Sequence, residues 1–415
     1  MPVRAPQLHH ALRCFCLAAF SLLARELEAG AEIPFAFEEH VAGRGPALYE
    51  YRPLVRSFVE ARAQRLVRLA DSRIALEELL REPAAAVYVR ADAGPGASER
   101  EGLFRTVLLP LLAATAEGCG GFDWDDGAFG KAYAELEQSL FGEQRAYAAV
   151  APLVGVSVGR QVDLGAGVRV RAAASGELAV HWPEARGLLP ADFGREPDRL
   201  CVLELERALP PASPEPPDAP GELADGVTAL RLAIGGSIAA GPVIFERLDW
   251  RPYGIRPMLP IAATQPAGEP ARLDGFRGRL ASDLLPRVGA ADDDPELAEA
   301  LDRWELSLFA DEPFRSEQLR ESLAALLAGT DGLWAAALRA AVLLGETGRE
   351  RAEQLDRLRA LAHGEPATDH AADAIRRALV ETLLHGDRRR LIAALDDALL
   401  GLRPRPAGYF AALAS

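Results

Sequence analysis

The chain has 415 residues, 49% of them apolar and 26% charged, enough for two or three compact domains with buried cores. Its net charge of −15 builds in no long-range attraction to nucleic acid or an anionic membrane, so any nucleic-acid contact must come from a local patch. Lys131 is the one lysine among 46 basic residues, and with heavy Ala, Gly and Pro use this reads as coding bias more than as an arginine-specific function. Cys14, Cys16, Cys119 and Cys201 form no C-x-x-C pair and have no histidine at metal spacing. Neither a disulfide framework nor a metal site nor a cofactor is expected, and a reducing cytoplasm is the expected compartment.

Along the chain, His9 and His10 are expected in a disordered terminus. The apolar "LRCFCLAAFSLLA" (Leu12–Ala24) runs into "RELEAG" without a small-x-small cleavage site. It reads as a buried first helix ending at Gly30. No stretch is expected to reach the ~20 apolar residues that span a bilayer, and no membrane partner follows. Residues 1–149 read as mostly helical: "LVRSFVEARAQRLVRLA", "EREGLFRTVLLPLLAATAEG" and "GAFGKAYAELEQSLFGEQRAY" place apolar residues three and four apart. Asp125 or Asp126 is the expected N-cap of the last of these.

Residues 150–290 change period. "LVGVSV", "GVRVRAA", "RLCVLELERA" and "GPVIFERLDW" are short, β-branched or alternating, and bounded by Gly and Pro, which predicts strands. "ELADGVTALRLAIGG" interrupts them as a helix, and "PPASPEPPDAP" (Pro210–Pro220) is an exposed loop. "LDWRPYGIRP" (Leu248–Pro257) reads as a rigid loop packing its aromatics on the sheet. The pattern is α+β and not alternating βαβ, which argues against a doubly wound nucleotide fold. Residues 291–401 are helical again, with Asp294 as N-cap, Pro295 at the first position and glycines closing most helices. Short connections predict an antiparallel bundle, followed by a tail over 402–415.

Phosphate-loop, dinucleotide-binding and H-E-x-x-H motifs are absent. "GGFDWDDGAFG" (Gly120–Gly130) lacks the acid and glycine spacing of a calcium loop and reads as a loop with an N-cap.

One stretch carries chemistry: "LDRLRALAHG" (Leu355–Gly364), with Arg357 and Arg359 ahead of His363. Its setting is "LDRWELSLF…EQLRESLAALLAG…LWAAALRAAVLLGE…RAEQLDRLRALAHG…ADAIRRALVETL", from about Pro295 to Leu384, under a quarter of the chain. The order of these helices resembles the Apea-like branch of the HEPN helical domains, which makes the bundle HEPN-like. The resemblance implies a defence or stress setting in bacteria, a homodimer and RNA as a partner. It also implies one of two activities. Many HEPN domains are metal-independent endoribonucleases with an R-x(4–6)-H motif, in which histidine moves the 2′-hydroxyl proton and arginine holds the phosphate. Others are degenerate and noncatalytic, used for dimerisation or contact with RNA or protein.

Members commonly place the arginine five residues before the histidine, and here that position is Leu358. Arg357 keeps the looser spacing but stands about 120° from His363 around a helix. Arg359, one turn before His363, shares nearly its face. His363 is also an ordinary last-turn residue before a C-capping Gly364. Residues 292–401 hold 13 arginines against 23 acids, a balance of −10, so RNA would need a focused patch such as Arg376 and Arg377 with Arg388–Arg390. His385 in "LLHG" repeats the "LAHG" helix end and reads as a second cap. The displaced arginine and acidic surface favour the noncatalytic reading, with an Arg/His endoribonuclease as the alternative.

Overall fold

In the computed structural model, which describes residues 4–40, 48–91, 98–173, 178, 188, 201–210, 217–249, 251–258 and 269–409, the first apolar stretch is helix α1 (Pro6–Glu28). Pro6 sits in the first turn, where a missing N–H costs nothing, and Leu12, Phe15 and Leu23 point into the core. The expectation of a disordered His9 and His10 is overturned. The His9 ring meets Phe129 and Tyr133 edge-on at 5.4 and 4.5 Å, and burial together with nearby Arg13 lowers its pKa. A second correction concerns membranes: α1 and the continuous helix Glu99–Cys119 are both long and apolar enough to cross one. In the structure each packs inward, the second through Leu103, Leu111 and Leu112.

The helical N-terminal region contains a hairpin that its sequence does not announce, β1 (Phe35–His40) against β2 (Leu48–Pro53). Then come α2 (Val55–Glu60), α3 (Ala63–Leu66), α4 (Ala70–Arg81) and α5 (Ala86–Ala91). The Glu99–Cys119 helix consists of α6 (Glu99–Leu103), one π turn (Phe104–Leu108) and α7 (Leu109–Cys119). Pro110 has no N–H to give the carbonyl one turn back, which accounts for the widened turn before it. Helix α8 (Asp126–Phe141) is capped by Asp125, whose carboxylate accepts from Gly127 and Ala128 N–H.

The middle is a seven-stranded sheet built on β3 (Arg145–Val154), with the short β4 (Val156–Ser157) beside it in a separate pairing. The other strands are β5 (Val162–Gly165), β6 (Val168–Ala172), β7 (Cys201–Leu209), β8 (Ala239–Ala240), β9 (Val243–Leu248) and β10 (Arg251–Pro257). Their order is β10-β9-β3-β7-β6-β5, with β8 on β3, and every pair is antiparallel. Alternation sends Tyr147, Ala149, Leu203 and Leu205 into the main core, while Val150, Val202 and Phe245 form a second cluster on the opposite face. The "LDWRPYGIRP" loop is corrected to an edge strand, where the prolines cost no ladder bond. Tyr253 within it is buried and its hydroxyl donates to the Val87 carbonyl. Trp250 and residues 211–216 of the proline-rich stretch lie outside the described residues.

Helices α9 (Ala219–Ile234), before β8, and α10 (Gly275–Val288), which follows the two-residue β11 (Ala271–Arg272) paired with β4, form a layer between sheet and bundle. Close approach needs glycine at two points. A Cβ on Gly226 would stand 2.9 Å from Leu203, and one on Gly278 2.7 Å from Val162. The bundle follows as α11 (Pro295–Ser307), α12 (Phe314–Leu327), α13 (Gly332–Leu344), α14 (Gly348–Ala362), α15 (Asp369–His385) and α16 (Arg388–Leu399). Asp294 caps α11 as its sequence predicts. The architecture is mixed α+β with a helical C-terminal region, and one contiguous apolar cluster runs from Leu8 to Leu395. Past α16 the chain returns to the bundle, where Tyr409 N–H reaches Glu381 at 2.7 Å.

Candidate functional site

Helix α14 opens on a capping box in which Thr347 and Glu350 each accept the other's backbone N–H at 3.2 Å. Leu358 and Leu361 bury its inner face. At the other end Gly364 takes φ +89° and Glu365 N–H bonds back to the Ala360 carbonyl at 2.9 Å, a Schellman closure that leaves His363 as the C-cap.

His363 is exposed, and its ring stacks on Trp334 at 5.7 Å with 27° between planes. Neither arginine of the stretch bonds to it. Arg357 lies half-buried with Nη1 3.4 Å from Gln354, and Arg359 stands 3.6 Å from Asp356. Among the described residues His363 makes no hydrogen bond or ion pair through its side chain. The structure thus joins His363 to an aromatic shelf. Trp334, 42% exposed, was not singled out by motif. One signal could have found it: in an antiparallel pair, the first turn of one helix meets the last turn of the next.

The remaining basic candidates separate. Arg376 donates twice to Asp373, at 3.0 and 2.7 Å, and once to the Leu232 carbonyl at 2.7 Å, tying α15 to the end of α9. Arg377 beside it is half-buried. Arg388 is buried, paired with Asp294 at 2.9 Å and Glu296 at 3.0 Å, and donates to the Ala325 and Leu326 carbonyls that end α12. Arg390 pairs with Asp387 at 3.1 Å, and Arg389 is exposed. Arg376 and Arg388 are struts of the fold, so the basic patch is smaller than the sequence count. His385 ends α15 before Gly386 at φ +81°, as a cap does.

Charge is also buried in the sheet, which the sequence pattern did not reveal. Glu204 on β7 is 1% exposed and accepts from Arg169, Arg171 and Arg247 at 2.7–2.9 Å. Burial alone would raise its pKa, but Arg171 and Arg169 together hold it below the ordinary range. On the opposite face Glu246 accepts from Arg256 at 2.7 Å and from the Tyr147 hydroxyl. Burial and the Glu246 charge push that phenol well up.

At one end of the sheet Tyr147 and Arg247 border a cavity of about 490 Å³. Ala146, Ala148 and Ala208 line it beside Arg247, Glu206 and Asp249. Asp249 turns the chain at φ +48° and accepts Ala146 N–H at 2.7 Å; its other carboxylate oxygen is buried without a partner among the described residues. Such a recess suits a small polar ligand with a hydrogen-bond donor. No family model, curated protein or solved structure matches the chain.

Proposed function

We propose that the chain is a noncatalytic, HEPN-like protein whose helical bundle serves in dimerisation or in RNA or partner contact, in a bacterial defence or stress setting. The observation that carries this reading is the fate of the Arg/His stretch. His363 lies on Trp334, Arg357 and Arg359 lie on their own helix neighbours, and Arg376 and Arg388 are held in the fold. A phosphate would meet no arginine fork beside the histidine. The exposed Trp334–His363 shelf is instead suited to stacking on a partner surface. Sedimentation equilibrium across protein concentration tests the module: a dimer weakened by Trp334→Ala is expected. A monomer throughout, with no RNA retained at low salt, overturns it.

A second reading, a metal-independent endoribonuclease, is favoured by one observation. His363 and Arg359 are both exposed at the same helix end, where a second subunit could complete an Arg/His pair.

A further inference from the structure

We propose that the N-terminal helices carry a binding site for a small soluble anionic amphiphile, a carboxylate or phosphate monoester on an apolar chain. The site is a cavity of about 750 Å³ between the α3–α4 turn and the start of α6. That volume lies within the usual range for small-molecule sites.

Its walls invert the charge of the chain. Among the described residues Arg68, Arg73, Arg100 and Arg105 line it against a single acid, Glu101, in a protein of net charge −15. Arg105 donates to Glu101 at 2.9 Å and Arg100 stands 3.7 Å from Glu77. Arg68 and Arg73 have no salt-bridge partner among the described residues, whereas their neighbour Arg65 is paired with Glu26. Exposed arginines gain little from ion pairs, but two facing one recess whose acid, Glu101, is already engaged by Arg105 are positioned to fork a carboxylate or phosphate.

The rest of the cavity supplies a second, apolar half. Ala70, Arg73 and Leu76 follow at three-residue steps on one face of α4, with Phe104 facing them from the first residue of the π turn. Leu76 and Phe104 are buried and form the floor, and Val67 stands at the rim. Helix α4 also begins here with Leu69 at its N-cap, a side chain that accepts no hydrogen bond. Its first-turn amides therefore lack a side-chain cap beside the free arginines, which adds to the preference for an anion. Asp71 of the same turn lines a different groove, with His10 and Cys14. The head group would sit on Arg68 and Arg73, with the apolar chain over Leu76 and Phe104.

Calorimetric titration of the full chain tests this with four probes kept below their aggregation concentrations: dodecanoate, dodecyl phosphate, dodecanol and inorganic phosphate. Both anionic amphiphiles should bind at one site, with dodecanol and inorganic phosphate each weaker by about tenfold or more. The double variant Arg68→Ala/Arg73→Ala should lose about tenfold in affinity for the amphiphiles, and its unfolding midpoint should not move because both side chains are exposed. Val67→Asp, which keeps the arginines and adds a rim charge, should weaken the same ligands. Absence of binding, equal affinity for dodecanol, an unaltered double variant, or binding only when the amphiphile is presented in a vesicle would each overturn the proposal.

Discussion

Arg388 and Arg73 both sit on helices of an acidic chain, yet they meet opposite environments. Arg388 is buried against Asp294, Glu296 and two carbonyls at the end of α12. Arg73 is exposed on a cavity wall and makes no ion pair among the described residues. The first pattern recurs through the sheet and bundle. Arg247 and Arg231 are buried on Glu204 and Glu305 at 2.7 and 3.0 Å, and Arg339 reaches Asp396 and the Leu327 and Ala328 carbonyls. The difference teaches that an arginine count does not locate a binding patch. In this protein Arg339, Arg376 and Arg388 hold helices together, whereas Arg68 and Arg73 in the N-terminal region make no ion pair among the described residues.

The largest way to break the comparison is Glu204→Gln. Neutralising the carboxylate that accepts from Arg169, Arg171 and Arg247 weakens a buried ion cluster and should cost about 3 kcal/mol in urea unfolding. A loss below about 1 kcal/mol would mean that these arginines are not held as described. The pH dependence has a definite sign. The folded pKa of Glu204 is depressed, so its contribution is present above the ordinary value of 4.5 and is lost as pH falls through the lowered one.

Next in size is Arg388→Met, which should cost about 2 kcal/mol because Asp294 is partly exposed and two helix-end carbonyls lose their donor. Arg390→Ala, two residues on and exposed, should stay within about 0.5 kcal/mol. Equal effects would erase the distinction between strut and surface.

The smallest expected effect has the opposite sign. Asp225 on α9 has no arginine partner among the described residues, and burial with nearby Asp292 and Glu222 pushes its pKa up to about 6. A raised folded pKa means that the native state binds the proton more tightly, so stability falls as pH rises from about 4 through 6. Asp225→Asn should therefore gain about 1 kcal/mol at pH 7, with the gain vanishing near pH 4, in paired denaturation curves. No gain at pH 7 would mean that the acid is compensated by a neighbour.

Local chemistry was legible from sequence and long-range pairing was not. The caps at Asp125, Asp294 and Gly364 follow from short polar residues and glycines at helix ends. The four strand stretches from "LVGVSV" to "GPVIFERLDW" follow from β-branching and alternation. Strand β10 hid behind Pro252 and Pro257, which are tolerated because it lies at the sheet edge. His9 looked like a loose terminus because its aromatic partners are Phe129 and Tyr133, far along the chain. Arg376 and Arg388 read as surface cations for the same reason, since their partners include Leu232 and Asp294. The Arg/His spacing was visible, but the Trp334 stack needed the register of α13 against α14.

The most direct test of the noncatalytic reading is RNA cleavage. Purified wild type and a His363→Ala variant, across a range of protein concentrations, would be incubated with mixed single-stranded RNA in EDTA, and product ends analysed. The account predicts no cleavage by either protein above a no-protein control. Cleavage by the wild type that leaves cyclic or 3′ phosphates, and that His363→Ala abolishes, would contradict it and make the end of α14 a nuclease site.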